Sequence, residues 1–469
     1  MPLLPATVTK LRQRLAREQA DGRVPSIVAG VVRDQELAWS NGRGTVGLEG
    51  VGPAEEIGFR IGSITKTFTA ALIMQLRDAG RLGLDDTVEQ HLPGTVVGDR
   101  TIAALLAHTA GLAAETTPPW WERTDGTARS LADVLGGAPV LHRQHEVYHY
   151  SNTGYGVLGE VVAALTGTSW REALIDRLLD PLGMRRTTLR PEVPHARGLA
   201  VHPWADLVTP EPEHDAGVLA PAGQLWSTLA DLAVWAQVLA GDRPDVVAAA
   251  TVEEMRGLAV VGDDAAGWSG GHGLGLQLLM DGVGSRAGKA PRRLAGHTGS
   301  MPGFVATLWV SPADRSAAMA MANVTSGPAI SRLVADLIDI VAVAEPRLPD
   351  TWLPGSDADP RLLAVVGPWY WGPAAFALRL VGGRDLDLVS LAGRGRQSRF
   401  AATADGDVWT GRDGYYRGET LRMVRDAAGV PVHFDLGSFV FTREPYDPAA
   451  PVPGGGVGDD GWQAVPPTV

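Results

Sequence analysis

Strand-like segments occur at both ends of the first 343 residues, and a helix-rich stretch separates them. Segments 27–32 and 36–39 predict a hairpin near the N-terminus, and segments 303–310 and 316–323 predict a second hairpin. Because the apolar faces of a sheet must be covered, we expect strands from both ends to share one sheet packed against helices. The pattern predicts an α+β domain with an antiparallel sheet, flanking helices and an inserted helical lobe.

A change in composition marks the end of this domain. Residues 344–360 are rich in Pro and Asp, which is typical of a linker, and short strand-like segments then recur to residue 447. We therefore expect a first domain over 1–343, a linker over 344–360 and a small antiparallel β-barrel over 361–447. The Pro- and Gly-rich residues 448–469 are predicted to be a disordered tail.

Charge and composition exclude several classes of function. A formal net charge of −12 without a Lys/Arg cluster predicts no nucleic-acid partner. The N-terminus lacks the apolar core of a signal peptide and no segment approaches membrane-spanning length, so we expect a cytoplasmic protein without a membrane partner. The absence of cysteine leaves hydroxyl, imidazole and carboxylate chemistry.

Lys66 is one of three lysines in a chain with 38 arginines, and it follows Ser63 by three residues. In a helix, residues three apart share a face, so the amine would lie beside the hydroxyl. Unlike a guanidinium, an amine can lose its proton and activate a serine nucleophile. Ser63 and Lys66 are therefore candidate catalytic residues, although the pair alone is a weak signal.

Two further triplets strengthen this interpretation. Tyr150-Ser151-Asn152 precedes a predicted helix, and His297-Thr298-Gly299 precedes a predicted strand. His142, His145 and His149 are interpreted as a polar loop, because their offsets in an extended segment do not share one face. We expect no metal and no cofactor.

The three motifs, in this order, resemble those of the serine β-lactamase and penicillin-binding-protein superfamily. The similarity is to the branch of class C β-lactamases, D-peptidases and esterases, in which Tyr-x-Asn replaces Ser-x-Asn and His-Thr-Gly can replace Lys-Thr-Gly. Two other phrases match this branch, Leu106-Ala-His108-Thr-Ala-Gly-Leu112 and Pro221-Ala-Gly-Gln-Leu-Trp-Ser227. The resemblance covers roughly residues 11–342.

The resemblance implies a role for each motif residue. Ser63 would be the acylated nucleophile, and Lys66 and Tyr150 would share the roles of general base and acid. An ammonium at hydrogen-bond distance from Tyr150 would favour its phenolate and remain charged in turn. Asn152 would hold Lys66 and a substrate amide. His108 is interpreted as structural.

The His-Thr-Gly strand would complete the site. His297 stands where a Lys often holds a substrate carboxylate, so it would act as a weaker anion site, a hydrogen-bond donor or a proton relay. Thr298 and Ser300 would bind substrate, and the backbone N–H groups of Ser63 and Ser300 would form the oxyanion hole. Arg443, on the last predicted barrel strand, would supply a bidentate contact to a substrate carboxylate or peptide carbonyl.

With a cytoplasmic location and a lipocalin-like C-terminal barrel, the chain is similar to penicillin-binding-protein-type thioesterases, which are stand-alone cyclases that release nonribosomal peptides. The resemblance implies a peptidyl or ester substrate, delivered as a thioester by a peptidyl carrier protein and released by attack of the peptide's own N-terminal amine. An esterase or a D-amino-acid-specific amidase or peptidase is the alternative. The intact Ser63, Lys66 and Tyr150 argue against a third reading, a non-catalytic ligand-binding protein.

Overall fold

The computed structural model describes residues 2–117, 121–123, 130–137, 139–262, 269–281, 292–348, 351–353, 359–446, 455–458 and 461–464. The chain divides into two compact units, Met1–Leu348 and Pro349–Val469. The finer boundaries inferred from the sequence, at 343, 360 and 447, stay predictions. Within the described residues, no helix has the length and apolar character needed to cross a bilayer.

The first unit is built on an eight-stranded sheet with the order β2-β1-β14-β13-β12-β11-β10-β9, in which neighbouring strands are antiparallel. Strands from both ends of the unit thus pair directly, and the predicted sheet is confirmed. The strands of the unit are β1 (Ile27–Arg33), β2 (Glu36–Arg43), β3 (Leu48–Glu49), β4 (Phe59–Arg60), β5 (His195–Ala196), β6 (Leu199–Val201), β7 (Val208–Pro210), β8 (Trp226–Ser227), β9 (Val260–Val261), β10 (Gly270–His272), β11 (Gln277–Asp281), β12 (Arg292–Met301), β13 (Phe304–Ser311) and β14 (Ser316–Ala322).

Helices cover both faces of this sheet. Alternate residues of β1 enter different cores, with Ile27 and Val31 on one face and Val28 and Val32 on the other, as a period of two requires. The helices described in the unit are α1 (Pro5–Asp21), α2 (Thr65–Asp78), α3 (Val88–His91), α4 (Ile102–Leu106), α5 (Leu131–Val134), α6 (Asn152–Thr166), α7 (Trp170–Leu174), α8 (Asp180–Leu182), α9 (Ala220–Gly223), α10 (Leu229–Ala240), α11 (Ala249–Met255) and α12 (Ile330–Ala344).

The two helical layers have different origins in the sequence. Helices α1 and α12 come from the two ends of the unit and cover one face, where Leu11 and Leu15 share a core with Leu333 and Leu337. The other face is covered by the central part of the chain, and α2 is its most buried helix, with Lys66 among its buried residues. The predicted flanking helices and inserted helical lobe are confirmed.

The second unit contains helix α13 (Pro360–Leu363) and a closed antiparallel barrel of eight strands. The predicted barrel is confirmed. Its first strand was not among the strand-like segments read from the sequence, because Pro368 interrupts the strand pattern there. The core of the barrel includes Trp369, Phe400 and Phe434. The barrel strands are β15 (Gly367–Trp371), β16 (Ala374–Val381), β17 (Asp385–Ser390), β18 (Ser398–Ala402), β19 (Val408–Gly411), β20 (Thr420–Arg425), β21 (Pro431–Leu436) and β22 (Phe439–Thr442).

The tail differs from its predicted disorder in one place. Strands β23 (Gly455–Gly458) and β24 (Gly461–Ala464) form an antiparallel pair. Two segments so close in sequence lose little chain entropy when they pair, which is why a short hairpin forms despite a glycine-rich composition. The rest of the predicted tail, from residue 448 onward, lies outside the described residues.

Candidate active site

Ser63 lies in a 3-10 turn, Gly62–Ile64, that leads directly into α2. Ser63 is partly exposed while Gly62 and Ile64 are buried, so the turn presents the hydroxyl to solvent. Gly62 has φ +51°, and a Cβ there would lie 2.7 Å from the backbone nitrogen of Ser300. The turn therefore needs glycine, both for its conformation and for close contact with β12.

Lys66, one turn later, is fully buried. Its Nζ donates to Ser63 Oγ at 3.0 Å, to Asn152 Oδ1 at 2.6 Å and to the carbonyl oxygen of Ala222 at 2.7 Å. None of these partners carries a charge. Burial lowers the pKa of Lys66 to about 7, so a large share of the amine is neutral at physiological pH.

Asn152 links the amine to an acidic group that the sequence did not indicate. Asn152 begins α6, and its Nδ2 donates to Glu115 Oε1 at 2.7 Å. The other oxygen of Glu115 accepts a bond from Trp121 Nε1. Glu115 is the second largest influence on the pKa of Lys66 and raises it against the effect of burial. Its contact depends on tertiary packing, and no local motif marks it.

Tyr150 lies against His108, with the two rings stacked at a centroid distance of 4.2 Å. His108 has φ +57° and accepts a bond at Nδ1 from the backbone N–H of Ser151 at 3.0 Å, so it anchors this motif. The side chain of Tyr150 is hydrogen-bonded to Ser63, yet burial raises the pKa of its phenol well above the ordinary value. Ser63, Lys66, Tyr150 and Asn152 are thus brought together.

The electrostatic relation between Lys66 and Tyr150 differs from the expected phenolate and ammonium pair. Lys66 Nζ lies 4.9 Å from the centroid of the Tyr150 ring, in contact with its face. Burial penalises the charged form of both groups, so it lowers the pKa of Lys66 and raises that of Tyr150. Near pH 7 the resting site therefore contains both the neutral and the protonated amine, beside a neutral phenol.

The His-Thr-Gly motif lies on β12. Nδ1 of His297 contacts the carbonyl oxygen of Thr298, so Nδ1 carries the proton and Nε2 is the free acceptor. His297 Nε2 is buried without a hydrogen-bond partner in the described part of the chain. Burial holds the pKa of His297 well below its usual range. A neutral ring with a free acceptor suits a proton relay better than the expected anion site or hydrogen-bond donor.

Thr298 and Ser300 occupy alternate positions of the same strand, with Gly299 between them. The backbone N–H of Thr298 and its hydroxyl both donate to Gln277 Oε1, at 2.9 and 3.0 Å. Ser300 is exposed, and its backbone nitrogen lies beside Gly62. The adjacent Gly299 lies close to the backbone nitrogen of Ser63, which is 3.1 Å from a Cβ built on that glycine. The two N–H groups predicted to form an oxyanion hole are therefore neighbours.

His272, on β10, is a member of the site that sequence reasoning missed. Its ring centroid lies 4.8 Å from that of His108, 5.8 Å from that of His297 and 6.1 Å from that of Tyr150. Both of its ring nitrogens are buried without a partner among the described residues, and burial lowers its pKa to about 3. A lone His after two glycines carries no motif, so only the fold reveals it.

Two other predictions concern residues outside this cluster. Within the described residues, no group of three or more His, Asp or Glu is arranged to hold a metal ion. Arg443 belongs to the second unit, where it donates to the carbonyl oxygens of Ala364, Val366 and Pro368 and lies 3.9 Å from the centroid of the Trp369 ring. These contacts give Arg443 a place in the barrel's own structure, and its role in substrate binding stays a prediction.

The fold and the site define a serine hydrolase. A model of the β-lactamase family matches residues 11–342, and a model of a domain of unknown function, DUF7586, matches residues 358–443. Penicillin-binding protein 4 of Amycolatopsis lactamdurans is 33% identical over 371 residues, which cover 74% of this chain and 88% of that protein. The chain belongs to the β-lactamase family, within the penicillin-binding-protein superfamily, and the predicted membership is confirmed.

Solved structures agree with this assignment. A crystal structure of SurE with D-Leu is 26% identical, with a TM-score of 0.57, and covers 94% of this chain and 100% of that one. An octameric penicillin-binding protein homologue from Pyrococcus abyssi is 21% identical, with a TM-score of 0.59 and coverage of 93% and 100%. A D-amino acid amidase from Ochrobactrum anthropi, 20% identical with a TM-score of 0.60, shares the fold over 72% of this chain and 100% of its own.

Proposed function

We propose that this enzyme transfers a peptidyl group through an ester on Ser63 and releases the peptide by cyclisation, as a stand-alone thioesterase of nonribosomal peptide synthesis. The observation that carries the acyl-enzyme is the buried Lys66 amine, 3.0 Å from Ser63 Oγ and bound only by uncharged partners. The substrate would be a peptidyl thioester on a carrier protein in the cytoplasm. The acceptor would be the N-terminal amine of the same peptide.

Acylation would begin with neutral Lys66. As Ser63 Oγ attacks the thioester carbonyl, the amine accepts the serine proton, which a pKa of about 7 permits at neutral pH. The tetrahedral oxyanion would lie between the N–H groups of Ser63 and Ser300, each worth about 3 kcal/mol of barrier. The C–S bond then breaks and the thiol leaves with a proton from Tyr150, whose raised pKa keeps it protonated until that moment. The proton held by Lys66 restores the Tyr150 hydroxyl.

Release would use the same groups in the same roles. The peptide amine attacks the Ser63 ester, its proton passes to Lys66, and Ser63 leaves with a proton from Tyr150. The proton held by Lys66 again restores the Tyr150 hydroxyl. His297, neutral and with a free Nε2, lies 6.0 Å from Tyr150 between ring centroids and would help to exchange protons there. Asn152 would hold Lys66 and a substrate amide, and Thr298 would bind substrate beside it.

Two findings support this choice of substrate. A barrel after the catalytic domain is one of the features on which the resemblance to penicillin-binding-protein-type thioesterases rests, and the chain has a closed barrel there. The SurE structures match 94% of the chain, across both units, and one of them was determined with D-Leu. A pocket that takes a D-amino-acid residue would suit a peptide of mixed stereochemistry.

Intact-mass spectrometry with peptidyl thioesters tests the proposal. Each peptide is offered on a carrier protein and on a small thiol, and both the Ser63 adduct and the product are recorded. We expect a peptidyl adduct, faster transfer from the carrier protein and a cyclic product. An adduct that yields only the linear acid would show a hydrolase. No adduct on Ser63 with any acyl donor would refute the acyl-enzyme itself.

A D-amino-acid-specific amidase or peptidase is the second candidate. It is favoured by the SurE structure with D-Leu and by the shared fold of the D-amino acid amidase. In that case water replaces the peptide amine as acceptor and the catalytic groups keep their roles. Hydrolysis of D-aminoacyl amides at a rate exceeding thioester cyclisation would favour this candidate.

A further inference from the structure

Arg60, on β4, is a buried cation without a counter-ion. The residue is 3% exposed, and no carboxylate oxygen of the described residues lies within 4.0 Å of its guanidinium. Its partners are uncharged, since Nη2 donates to Gln224 Oε1 at 2.8 Å and Nη1 contacts the ring and carbonyl oxygen of His214 at 3.1 to 3.4 Å. Nε is buried and has no hydrogen-bond partner among the residues that the structure describes.

His214 does not supply a charge that compensates Arg60 at neutral pH. Burial, followed by the charge of Arg60, lowers the pKa of His214 to about 4, so the ring is neutral. Burial lowers the pKa of Arg60 only to about 10, so the guanidinium remains charged. A buried charge without a partner is unfavourable, and an anion supplied by a ligand would remove that penalty.

A cavity of about 310 Å³ lies beside Arg60, a size that suits a small molecule. Its walls combine apolar surface, two cations and two carboxylates, from Arg60, Leu189, Arg190, Pro191, Glu213, His214, Asp215, Gln224 and Trp226. Arg190 and Asp215 form a loose ion pair at 3.7 Å and offset each other. Arg60 therefore has no ion pair with a described residue, and the carboxylates of Glu122, Asp215 and Glu213 favour its charge only from a longer distance. The exposed Glu213 also has no ion pair with any described residue.

We propose that this cavity binds a free α-amino acid with an apolar side chain. The ligand carboxylate would meet Arg60, which offers charge-assisted hydrogen bonds, and the ammonium would meet Glu213 at the exposed side. The side chain would lie against Leu189, Pro191 and Trp226. An unpaired cation, an unpaired carboxylate and an apolar wall match the three parts of such a zwitterion.

The site is separate from the acyl-transfer residues but joined to them by the chain. Arg60 precedes Ser63 by three residues, and Gln224 follows Ala222, whose carbonyl oxygen holds Lys66, by two. None of the cavity residues has a role in the proposed acyl transfer. The inference therefore stands or falls independently of that function.

Calorimetric titration of the full chain tests the inference. D- and L-leucine are compared with leucinamide, which lacks the carboxylate, and with N-acetyl-leucine, which lacks the ammonium. We expect one enantiomer of leucine to bind and each analogue to bind at least about tenfold more weakly, because each loses one charged contact. Equal binding of leucine and leucinamide, or no binding of either enantiomer, would overturn the proposal.

Variants locate the bound ligand. Glu213→Gln removes the exposed carboxylate and should weaken leucine binding about tenfold, whereas Glu192→Gln, an exposed carboxylate outside the cavity, should not. Gln224→Glu gives Arg60 an internal counter-ion and should abolish binding. Because Arg60→Gln can disturb folding, the test relies on Glu213→Gln and Gln224→Glu. Binding that survives Glu213→Gln and Gln224→Glu but is lost in Asn152→Ala would place leucine in the catalytic site and refute the cavity.

Discussion

At the scale of single residues, the environment of Lys66 governs its acid–base behaviour. Three uncharged acceptors hold the amine, and Glu115, the carboxylate with the largest effect on its pKa, bonds to Asn152 rather than to the amine. Desolvation therefore outweighs attraction, and the amine loses its proton more easily than it would in water. This differs from the ammonium expected beside a phenolate, and it supports the proposal that Lys66 first accepts the Ser63 proton.

We predict that acylation accelerates with pH as Lys66 loses its proton. The rate constant for Ser63 acylation should rise through about pH 7 and level off above it, since only the neutral amine is a base. Lys66→Arg should lose at least about a hundredfold, because a guanidinium keeps its proton. Stopped-flow mass spectrometry across pH 5.5 to 9 measures both. Substantial acylation by Lys66→Arg would show that the residue acts only through its charge.

The same shift predicts a dependence of stability on pH. Between about pH 7 and the ordinary value of 10.5, the unfolded chain holds a proton on Lys66 that the folded chain has lost. The contribution of this residue to folding therefore becomes more favourable as pH rises through that window. The free energy of unfolding of Lys66→Met should depend less on pH there. Parallel curves for the two proteins in denaturant titrations would contradict the lowered pKa.

Tyr150→Phe should slow acylation to an extent that depends on the leaving group of the acyl donor. If the phenol donates a proton to the leaving group, its loss should slow acylation by amides about 10² to 10⁴-fold, and acylation by thioesters much less, because a thiol leaves readily without a proton. Initial rates with matched peptidyl amides and thioesters measure the ratio. An equal loss with both donors would instead assign Tyr150 to deprotonation of Ser63.

At the scale of elements, the turn before α2 holds the nucleophile against β12. Gly62 and Gly80 flank α2, with φ values of +51° and +66°. They differ in surroundings, since a Cβ at Gly62 would lie 2.7 Å from Ser300 N, whereas no atom lies within 4 Å of one at Gly80. The pair can therefore separate backbone conformation from steric contact.

Gly62→Ala is predicted to abolish acylation by displacing Ser63 from the backbone of Ser300. Gly80→Ala should cost about 1 kcal/mol of stability, from the positive φ alone, and keep normal acylation. Thermal unfolding and the Ser63 adduct, measured for both variants, distinguish the effects. Normal acylation by a folded Gly62→Ala protein would show that the contact with β12 does not position the nucleophile.

At the scale of the whole molecule, the chain forms two units with separate cores. Arg443 shows how one side chain supports the structure of the second unit. Its guanidinium donates to three backbone carbonyls of residues 364–368 and stacks on Trp369. This side chain therefore ties the start of the barrel to its closing strand. A contribution to substrate binding would come in addition to this structural role.

We predict that Arg443→Ala lowers the stability of the second unit by about 1 kcal/mol, because the half-buried carbonyl of Val366 and the exposed carbonyls of Ala364 and Pro368 lose their donor. Arg379→Ala, an exposed arginine on β16, is the matched control and should change little. Calorimetric unfolding of the full chain measures both. If Arg443→Ala raises KM or shifts the product from cyclic to linear while its melting temperature stays unchanged, the substrate contact is its main role.

The sequence by itself determined the β-lactamase-like fold, the barrel and the principal catalytic motifs. Ser63 and Lys66 are three residues apart on either side of a helix start, and Tyr150 and Asn152 stand at another, so local backbone geometry alone aligns each pair. The alternation of apolar residues marked the strands from both ends of the first unit. Features of this kind are readable because they depend on neighbours along the chain.

Only the tertiary structure decided the charges of the site and its remaining members. The lowered pKa of Lys66 and the raised pKa of Tyr150 follow from how deeply the fold buries these side chains, which the spacing of residues in the sequence does not show. Glu115 and His272 reach the site from distant segments of the chain. Arg60 has no counter-ion among the described residues because the uncharged Gln224 and His214 contact its guanidinium. Such properties come from contacts between residues far apart in sequence, whose desolvation and pairing exist only once the chain has folded.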